Sequence, residues 1–175
     1  MMTTDPIIES GLTFGMFPEG HCFYIEKSKT YQQIQEGVKM AEFLLLRQNN
    51  GKAPTIWVIE AKSSAPQPSN SLDFDKYIEE IRDKLTNALT LAINICLKRH
   101  PDGNVELSQE FKQLDLTSVN FLLILVINNF QEAWLPPLQD ALAKALRPTI
   151  KIWALSPPAV LVLNEDGAKR RNLII

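Results

Sequence analysis

One run of residues limits the possible folds more than any other part of the chain: Val119 to Ile127, with the sequence VNFLLILVI. Its residues are apolar at successive positions, so a strand formed by this run would be apolar on both faces. Such a strand is stable only in the interior of a sheet that is covered on both sides. The apolar part is far shorter than the roughly 20 residues that span a bilayer. We therefore predict a central strand with layers on both faces of its sheet.

Three segments before this run have the residue content of strands. Cys22 to Lys27 is short and rich in strand-forming residues, Val38 to Arg47 is a longer apolar run that carries one acid, and Thr55 to Lys62 is rich in β-branched and aromatic residues. The sequence Asn49-Asn50-Gly51-Lys52 between the second and third is a turn signal. Short connections join antiparallel strands, so we predict an antiparallel meander whose third strand pairs onward with the central strand.

Helical periodicity follows the meander. From Asp73 onward, apolar residues recur on one stripe and predict an amphipathic helix that runs almost to His100. The Pro136-Pro137 pair suits the first turn of a second helix, which we predict to end before Pro148. Further strands are predicted at 150–155, 159–163 and 172–175, with a turn at 165–167. The predicted fold class is α/β: a mixed central sheet with an antiparallel N-terminal meander, flanked by helices.

Length and composition favour one domain over residues 1–175. A chain of this length buries enough surface on folding that it needs no metal or disulfide for stability. The start, MMTTDPIIES, lacks the pattern of a signal peptide, and we expect a cytoplasmic protein. Two cysteines, Cys22 and Cys96, show no zinc-ligand spacing with the two histidines. The net charge of −2 provides no general attraction for nucleic acid, and the one basic cluster is Lys169-Arg170-Arg171.

Several familiar chemistries are excluded by residue type. Gly15 and Gly20 have the spacing of a phosphate-binding loop, but His21-Cys22 occupy the positions where a lysine and a hydroxyl residue are required. The chain contains neither GxSxG nor GxGxxG. A Ser-His-Asp or Cys-His catalytic arrangement has few histidines on which to be built.

The tripeptide Glu60-Ala61-Lys62 has the form acid-x-Lys, a spacing that chance alone produces about once in a chain of this composition. A second case, Glu110-Phe111-Lys112, lies in a polar segment and indicates solvated surface. The first case differs because strand periodicity places Glu60 and Lys62 on the same face as Ile56 and Val58. The two apolar residues anchor that face in the core, so the acid and the lysine emerge together where the strand leaves it.

Glu42 is the one acid inside the predicted second strand, where Met40 and Leu44 share its face. An unpaired carboxylate there would be costly or would have a raised pKa, so it needs a partner. If the second and third strands are antiparallel neighbours, Glu42 lies within reach of Glu60 and Lys62. We therefore predict that two carboxylates and a lysine converge.

This convergence suits phosphodiester cleavage. Glu42, Glu60 and the carbonyl oxygen of Ala61 could supply oxygen ligands to Mg²⁺ or Mn²⁺. The metal would lower the pKa of a bound water and neutralise charge in the transition state. Lys62 would orient that water and stabilise negative charge.

Glu42 within MAEFLLL, followed by VIEAKSS and an amphipathic helix, resembles the core of the PD-(D/E)xK, or restriction-endonuclease-like, nuclease superfamily. The motif of that superfamily is an acid on one strand and acid-x-Lys on the next. The resemblance implies that Glu42 and Glu60 bind a divalent metal and that Lys62 assists the water. In the superfamily an N-terminal helix often adds another acid, for which Glu9 is the natural candidate here.

Two functions remain open at this stage. One is a Mg²⁺-dependent nuclease that acts on DNA, and the other is a catalytically inactive or accessory domain of the same fold that binds a protein partner or nucleic acid. The acidic balance favours a homodimer or a subunit of a larger assembly in either case. The long helix offers polar residues on one face that either line the site or are simply solvated: Lys76, Glu80, Asp83 and Asn87.

Overall fold

A mixed sheet forms the centre of the structure. The computed structural model describes residues 3–48 and 51–175, and within them one sheet has five strands in the order β3-β4-β5-β6-β7. A separate antiparallel pair, β1-β2, lies outside this sheet. The strands are β1 Ile7–Glu9, β2 Leu12–Phe14, β3 Cys22–Phe23, β4 Phe43–Arg47, β5 Thr55–Lys62, β6 Asn120–Ile127 and β7 Val160–Leu163.

Six α-helices in the described part of the chain accompany the strands. They are α1 Lys29–Ile34, α2 Ser71–Cys96, α3 Pro101–Glu106, α4 Gln109–Lys112, α5 Leu135–Ile152 and α6 Glu165–Lys169. Two short 3-10 helices, Ile25–Lys27 and Glu132–Trp134, complete the elements. The two long helices, α2 and α5, follow β5 and β6 respectively, which makes the fold α/β with a mixed sheet.

The register of the sheet confirms the predicted meander. Strand β4 pairs antiparallel with both β3 and β5, and β5 pairs in parallel with β6 over eight residue pairs, from Thr55↔Asn120 to Lys62↔Ile127. Strand β6 also pairs in parallel with β7. The VNFLLILVI run is therefore interior to the sheet, as predicted, and its residues from Phe121 to Ile127 are all buried.

The two faces of the sheet are covered by different elements. On one face, α2 and α5 pack against alternate residues of the central strands, including Val58, Leu123 and Leu125. On the other face, β2 and the C-terminal residues cover the complementary set, including Phe43 and Ile124. Helix layers and a hairpin layer together explain why β6 is apolar at every position from Phe121 to Ile127.

Helix α2 has the predicted stripe, since every apolar residue that defines it is buried: Phe74, Ile78, Ile81, Leu85, Ala88, Ala92 and Ile95. The 26-residue α2 is not apolar enough to cross a membrane. No other helix in the described residues is both long enough and apolar enough to do so.

Two predicted boundaries in the N-terminal half were wrong. The segment Val38 to Arg47 is a strand only from Phe43 onward. Met40 and Ala41, which precede the strand, lie in an irregular segment, and their apolar character reflects burial in the core. Of Cys22 to Lys27, only the first two residues are in a strand, and a 3-10 helix follows. The sequence analysis also missed the β1-β2 hairpin. The turn predicted at Asn49-Asn50 lies outside the described residues.

The C-terminal strand predictions were wrong in two places. Helix α5 continues past Pro148 to Ile152, so residues 150–155 are not a strand. Buried Leu146 and Thr149 on the same face as Leu138 and Leu142 show that packing outweighs the missing backbone donor of the proline. Residues 172–175 make only an isolated bridge, and the predicted turn at 165–167 is the first part of α6. Strand β7 matches the prediction at 159–163 within one residue.

Candidate functional site

The irregular segment before β4 brings Glu42 next to the acid-x-Lys strand. The first paired residues of β4 and β5 are Phe43 and Ile59, and the Glu42 N–H donates to the Ile59 carbonyl oxygen at 3.0 Å. Glu42 therefore lies beside the peptide that joins Ile59 to Glu60. Alternation along β5 puts Glu60 and Lys62 on the face that α2 covers.

Glu60 is completely buried and is paired with two lysines. Its Oε1 accepts from Lys84 Nζ of α2 at 2.9 Å and lies 3.5 Å from Lys62 Nζ. Lys62 Nζ in turn donates to Glu80 Oε1 at 2.7 Å. A chain of alternating charges thus runs from β5 to α2, and it fixes Lys62 between two carboxylates. The hydrogen bond from Lys62 also lowers the pKa of Glu80.

The two motif carboxyls both have raised pKa values. Burial raises the pKa of Glu60 to about 7, although Lys84 and Lys62 oppose that rise. Burial also raises the pKa of Glu42 to about 9, with further contributions from a hydrogen bond to Glu26 and from the charge of Glu60. Both carboxyls would ionise more readily with an added positive charge beside them.

Glu42 and Glu60 each have a buried oxygen atom to which a cation could bind. Glu42 Oε2 and Glu60 Oε2 are buried and have no hydrogen-bond partner among the described residues, and the same is true of the Tyr77 hydroxyl. Burial, together with the charges of Glu60 and Glu80, raises the pKa of Tyr77. A buried carboxylate oxygen without a donor is costly, and a hard cation or a water bound to it would remove that cost. The donor set of the two acids therefore fits Mg²⁺ or Mn²⁺.

The third predicted ligand, the carbonyl oxygen of Ala61, already accepts a hydrogen bond. Its donor is Ser10 Oγ, at 3.0 Å, in the turn of the β1-β2 hairpin. A carbonyl oxygen has a second lone pair. That lone pair remains available to a cation. The Ser10 hydrogen bond also shows that the hairpin turn packs against the end of β5.

Glu42 belongs to a second group of carboxylates that the motif does not include. One oxygen each from Glu9, Glu26 and Glu42 lies within 4.8 Å of the other two. The 3-10 helix that carries Glu26 is tied to this place, because the Glu26 N–H donates to the Glu42 carbonyl oxygen at 3.2 Å. Glu9 comes from the end of β1 and accepts hydrogen bonds from Tyr24 and Lys27. We refer to these three residues as the acidic cluster.

The polar face of α2 has mixed roles. Glu80 contacts Lys62 as described, whereas Asp83 pairs with Arg82 and Lys39. Asn87 donates to the Lys39 carbonyl oxygen at 2.9 Å. Lys84, which contacts Glu60 directly, was missed by the sequence analysis. Its position four residues after Glu80 on the same helical face was the available signal.

A cleft of about 350 Å³ reaches this region from solvent. Its polar lining residues are Glu26, Tyr31, Gln35, Lys39, Glu80 and Lys84, and neither Glu42 nor Glu60 lines it. The two lysines and two acids leave the opening with no net charge, and Lys84 connects it to Glu60.

The basic cluster of the sequence lies elsewhere. Lys169 ends α6, and the carbonyl oxygens of Arg171 and Asn172 accept from Arg47 Nη2 at 3.1 and 2.9 Å. Arg47 is the last residue of β4, whereas Glu42 precedes its first residue. Five residues of strand separate the two positions by roughly 16 Å.

Comparison of the chain with protein-family models, with curated proteins and with solved structures finds no match.

Proposed function

We propose that the protein is a Mg²⁺- or Mn²⁺-dependent nuclease that hydrolyses phosphodiester bonds of DNA, with Glu42, Glu60 and Lys62 at its active site. One observation carries the proposal. Glu42 lies beside Glu60 at the β4-β5 junction, each has a buried oxygen without a donor, and Lys62 Nζ is 3.5 Å from the Glu60 carboxylate. This is the arrangement expected from the resemblance to PD-(D/E)xK nucleases.

Each residue of the proposed site would have a distinct role. Glu42 and Glu60 would hold the cation, with the Ala61 carbonyl oxygen as a further ligand near the hairpin turn. The bound cation would lower the pKa of a water and neutralise charge on the phosphate. Lys62, fixed by Glu60 and Glu80, would donate a hydrogen bond to the attacking water or to a phosphate oxygen.

Substrate contacts follow from the charges at the cleft. Lys39 and Lys84 line it beside Glu26 and Glu80, and the two lysines would contact a phosphate group that enters there. The net charge of −2 supplies no general attraction for nucleic acid. A homodimer or a larger assembly would supply the remaining grip on a duplex, and we include it in the proposal.

A nuclease assay with matched variants tests this proposal. The parent should cleave plasmid or single-stranded DNA only with Mg²⁺ or Mn²⁺ present. Lys62→Ala should lower the cleavage rate by about a hundredfold or more, because it removes a charge that acts mainly in the transition state. Lys144→Ala removes an exposed lysine of α5 and should behave like the parent. Far-ultraviolet circular dichroism should show that both variants are folded.

The alternative, a catalytically inactive or accessory domain, also has an observation in its favour. Lys84 and Lys62 already compensate the charge of Glu60, and Lys62 is also paired with Glu80. A closed ion network of this kind can hold β5 to α2 without any metal. Absence of cleavage by the parent, together with no change in melting temperature on adding Mg²⁺ or Mn²⁺, would favour this alternative.

A further inference from the structure

The acidic cluster lacks the charge compensation that Glu60 has. Among the described residues, neither Glu26 nor Glu42 forms an ion pair with a lysine or arginine, and Glu9 is paired only with Lys27, whose side chain is 63% exposed. Three carboxylates from three segments therefore meet with one directly paired lysine, and the other cation that acts on Glu26 and Glu42, Lys84, is itself bonded to Glu60. Glu60, by contrast, has two lysines of its own.

A second observation points to a ligand at this cluster. Glu42 is only 6% exposed, and its Oε2 has no hydrogen-bond partner in the described structure. A buried carboxylate oxygen normally accepts from a nitrogen or hydroxyl donor. The other members of this cluster are carboxyl groups, and the hydrogen bond between Glu42 and Glu26 leaves Glu42 Oε2 without a partner. A cation satisfies such an oxygen where no donor is present.

The spacing of the oxygens suits a hard divalent cation. Opposite ligands of an octahedral Mg²⁺ lie about 4.2 Å apart, and those of Ca²⁺ about 4.8 Å apart. The three oxygens lie within 4.8 Å of one another, so small side-chain rotations would bring them to bonding distance. Glu26 also lines the cleft, which gives a cation a route from solvent.

The elements around the cluster hold its ligands in place. The Tyr24 hydroxyl donates to Glu9 Oε1, and Lys27 Nζ lies 4.3 Å from the centre of the Tyr24 ring. The Glu26 backbone is bonded to Glu42, as described above. Hydrogen bonds to a metal-binding carboxylate fix the orientation of that carboxylate and commonly affect its affinity for the metal.

From this geometry we infer that Glu9, Glu26 and Glu42 form a binding site for a hard divalent cation, distinct from the Glu42-Glu60 position and joined to it through Glu42. The cation would fasten the β1-β2 hairpin and the 3-10 helix to the start of β4. The site does not require that the protein cleave DNA.

Titration with Mn²⁺ alone, followed by calorimetry or by electron paramagnetic resonance of free Mn²⁺, tests the inference. Glu26→Gln should weaken binding at the cluster by about tenfold or more, because a glutamine amide supplies no charge. Glu36→Gln changes an exposed acid three residues before Lys39 and should bind as the parent does. Glu60→Gln should retain the cluster site. Glu9→Gln repeats the test from another segment, in case the Glu26 variant does not fold.

Each outcome is decisive. Two Mn²⁺ ions per parent chain, one lost in Glu26→Gln and the other in Glu60→Gln, would support both this site and the proposed nuclease centre. One ion that is lost in Glu26→Gln and kept in Glu60→Gln would support the cluster alone. Unchanged Mn²⁺ affinity in both Glu9→Gln and Glu26→Gln would overturn the inference, whatever the cleavage assay shows.

Thermal unfolding gives an independent readout. At a Mn²⁺ concentration about a hundred times the dissociation constant, the melting temperature of the parent should rise by about 5 to 10 °C. The rise should be smaller in Glu26→Gln, because its site binds the ion more weakly. An equal rise in both proteins would contradict the site.

Discussion

Replacing Glu42 with glutamine should remove much of the pH dependence of stability between pH 5.5 and pH 7.5. The ordinary pKa of this carboxyl is 4.5, and burial, helped by Glu26 and by nearby acids, raises it to about 9 in the folded chain. Between these values the folded chain holds one more proton than the unfolded chain, so the free energy of unfolding falls as pH rises. One proton retained over two pH units corresponds to about 2.7 kcal/mol.

Urea unfolding at several pH values in the presence of a chelator measures this effect. The difference in unfolding free energy between parent and Glu42→Gln should fall by about 2.7 kcal/mol from pH 5.5 to pH 7.5, to the disadvantage of the parent. Glu60, whose pKa is raised to about 7, changes stability in the same direction but is present in both proteins. Glu36→Gln serves as the exposed control. A difference that stays constant with pH would refute the reasoning, since Glu42 would then be ionised in the folded chain.

Two further predictions concern packing away from the site. Pro148 is exposed within α5 and leaves one carbonyl group of that helix without its backbone donor, so Pro148→Ala should raise the free energy of unfolding by about 1 to 3 kcal/mol in urea denaturation. A loss of stability would show that the ring itself packs favourably. A Cβ atom on Gly103 would lie 2.5 Å from Thr30 Oγ1 and 2.9 Å from Ile95 Cγ1. Gly103→Ala should therefore cost about 1 to 3 kcal/mol in thermal unfolding. Thr30→Ala removes the nearest atom, Oγ1, so Gly103→Ala should cost less in that background than in the parent; an equal cost in both backgrounds would locate the strain elsewhere.

The central sheet could be predicted because its signals are local. Nine consecutive residues, Val119 to Ile127, have a pattern that one kind of strand explains, and the stripe of α2 extends over about six turns. The boundaries that failed depend on tertiary packing. Met40 and Ala41 are apolar because they are buried, although they are outside β4, and Pro148 is retained in α5 because its neighbours Leu146 and Thr149 are buried.

The candidate site was only partly predictable for the same reason. Strand alternation is enough to place Glu60 and Lys62 together. The antiparallel pairing of β4 with β5 brings Glu42 beside Glu60. Glu9 was noted as a candidate acid, but Glu26 had no local signal. Both reach Glu42 through a hairpin and a 3-10 helix that the sequence pattern did not indicate.

The contact between the two ends of the described chain has a consequence for biosynthesis. The Gly15 N–H donates to the Leu173 carbonyl oxygen at 3.1 Å, and the Ile175 N–H donates to the Thr13 carbonyl oxygen at 3.0 Å. The hairpin that carries Glu9 is synthesised before the central strands, yet residues 173–175 must also emerge before these bonds can form. Contacts so distant in sequence form late, because closing the long intervening loop costs entropy. A nascent chain would thus hold the hairpin through these bonds only after the central strands and residues 173–175 have been made.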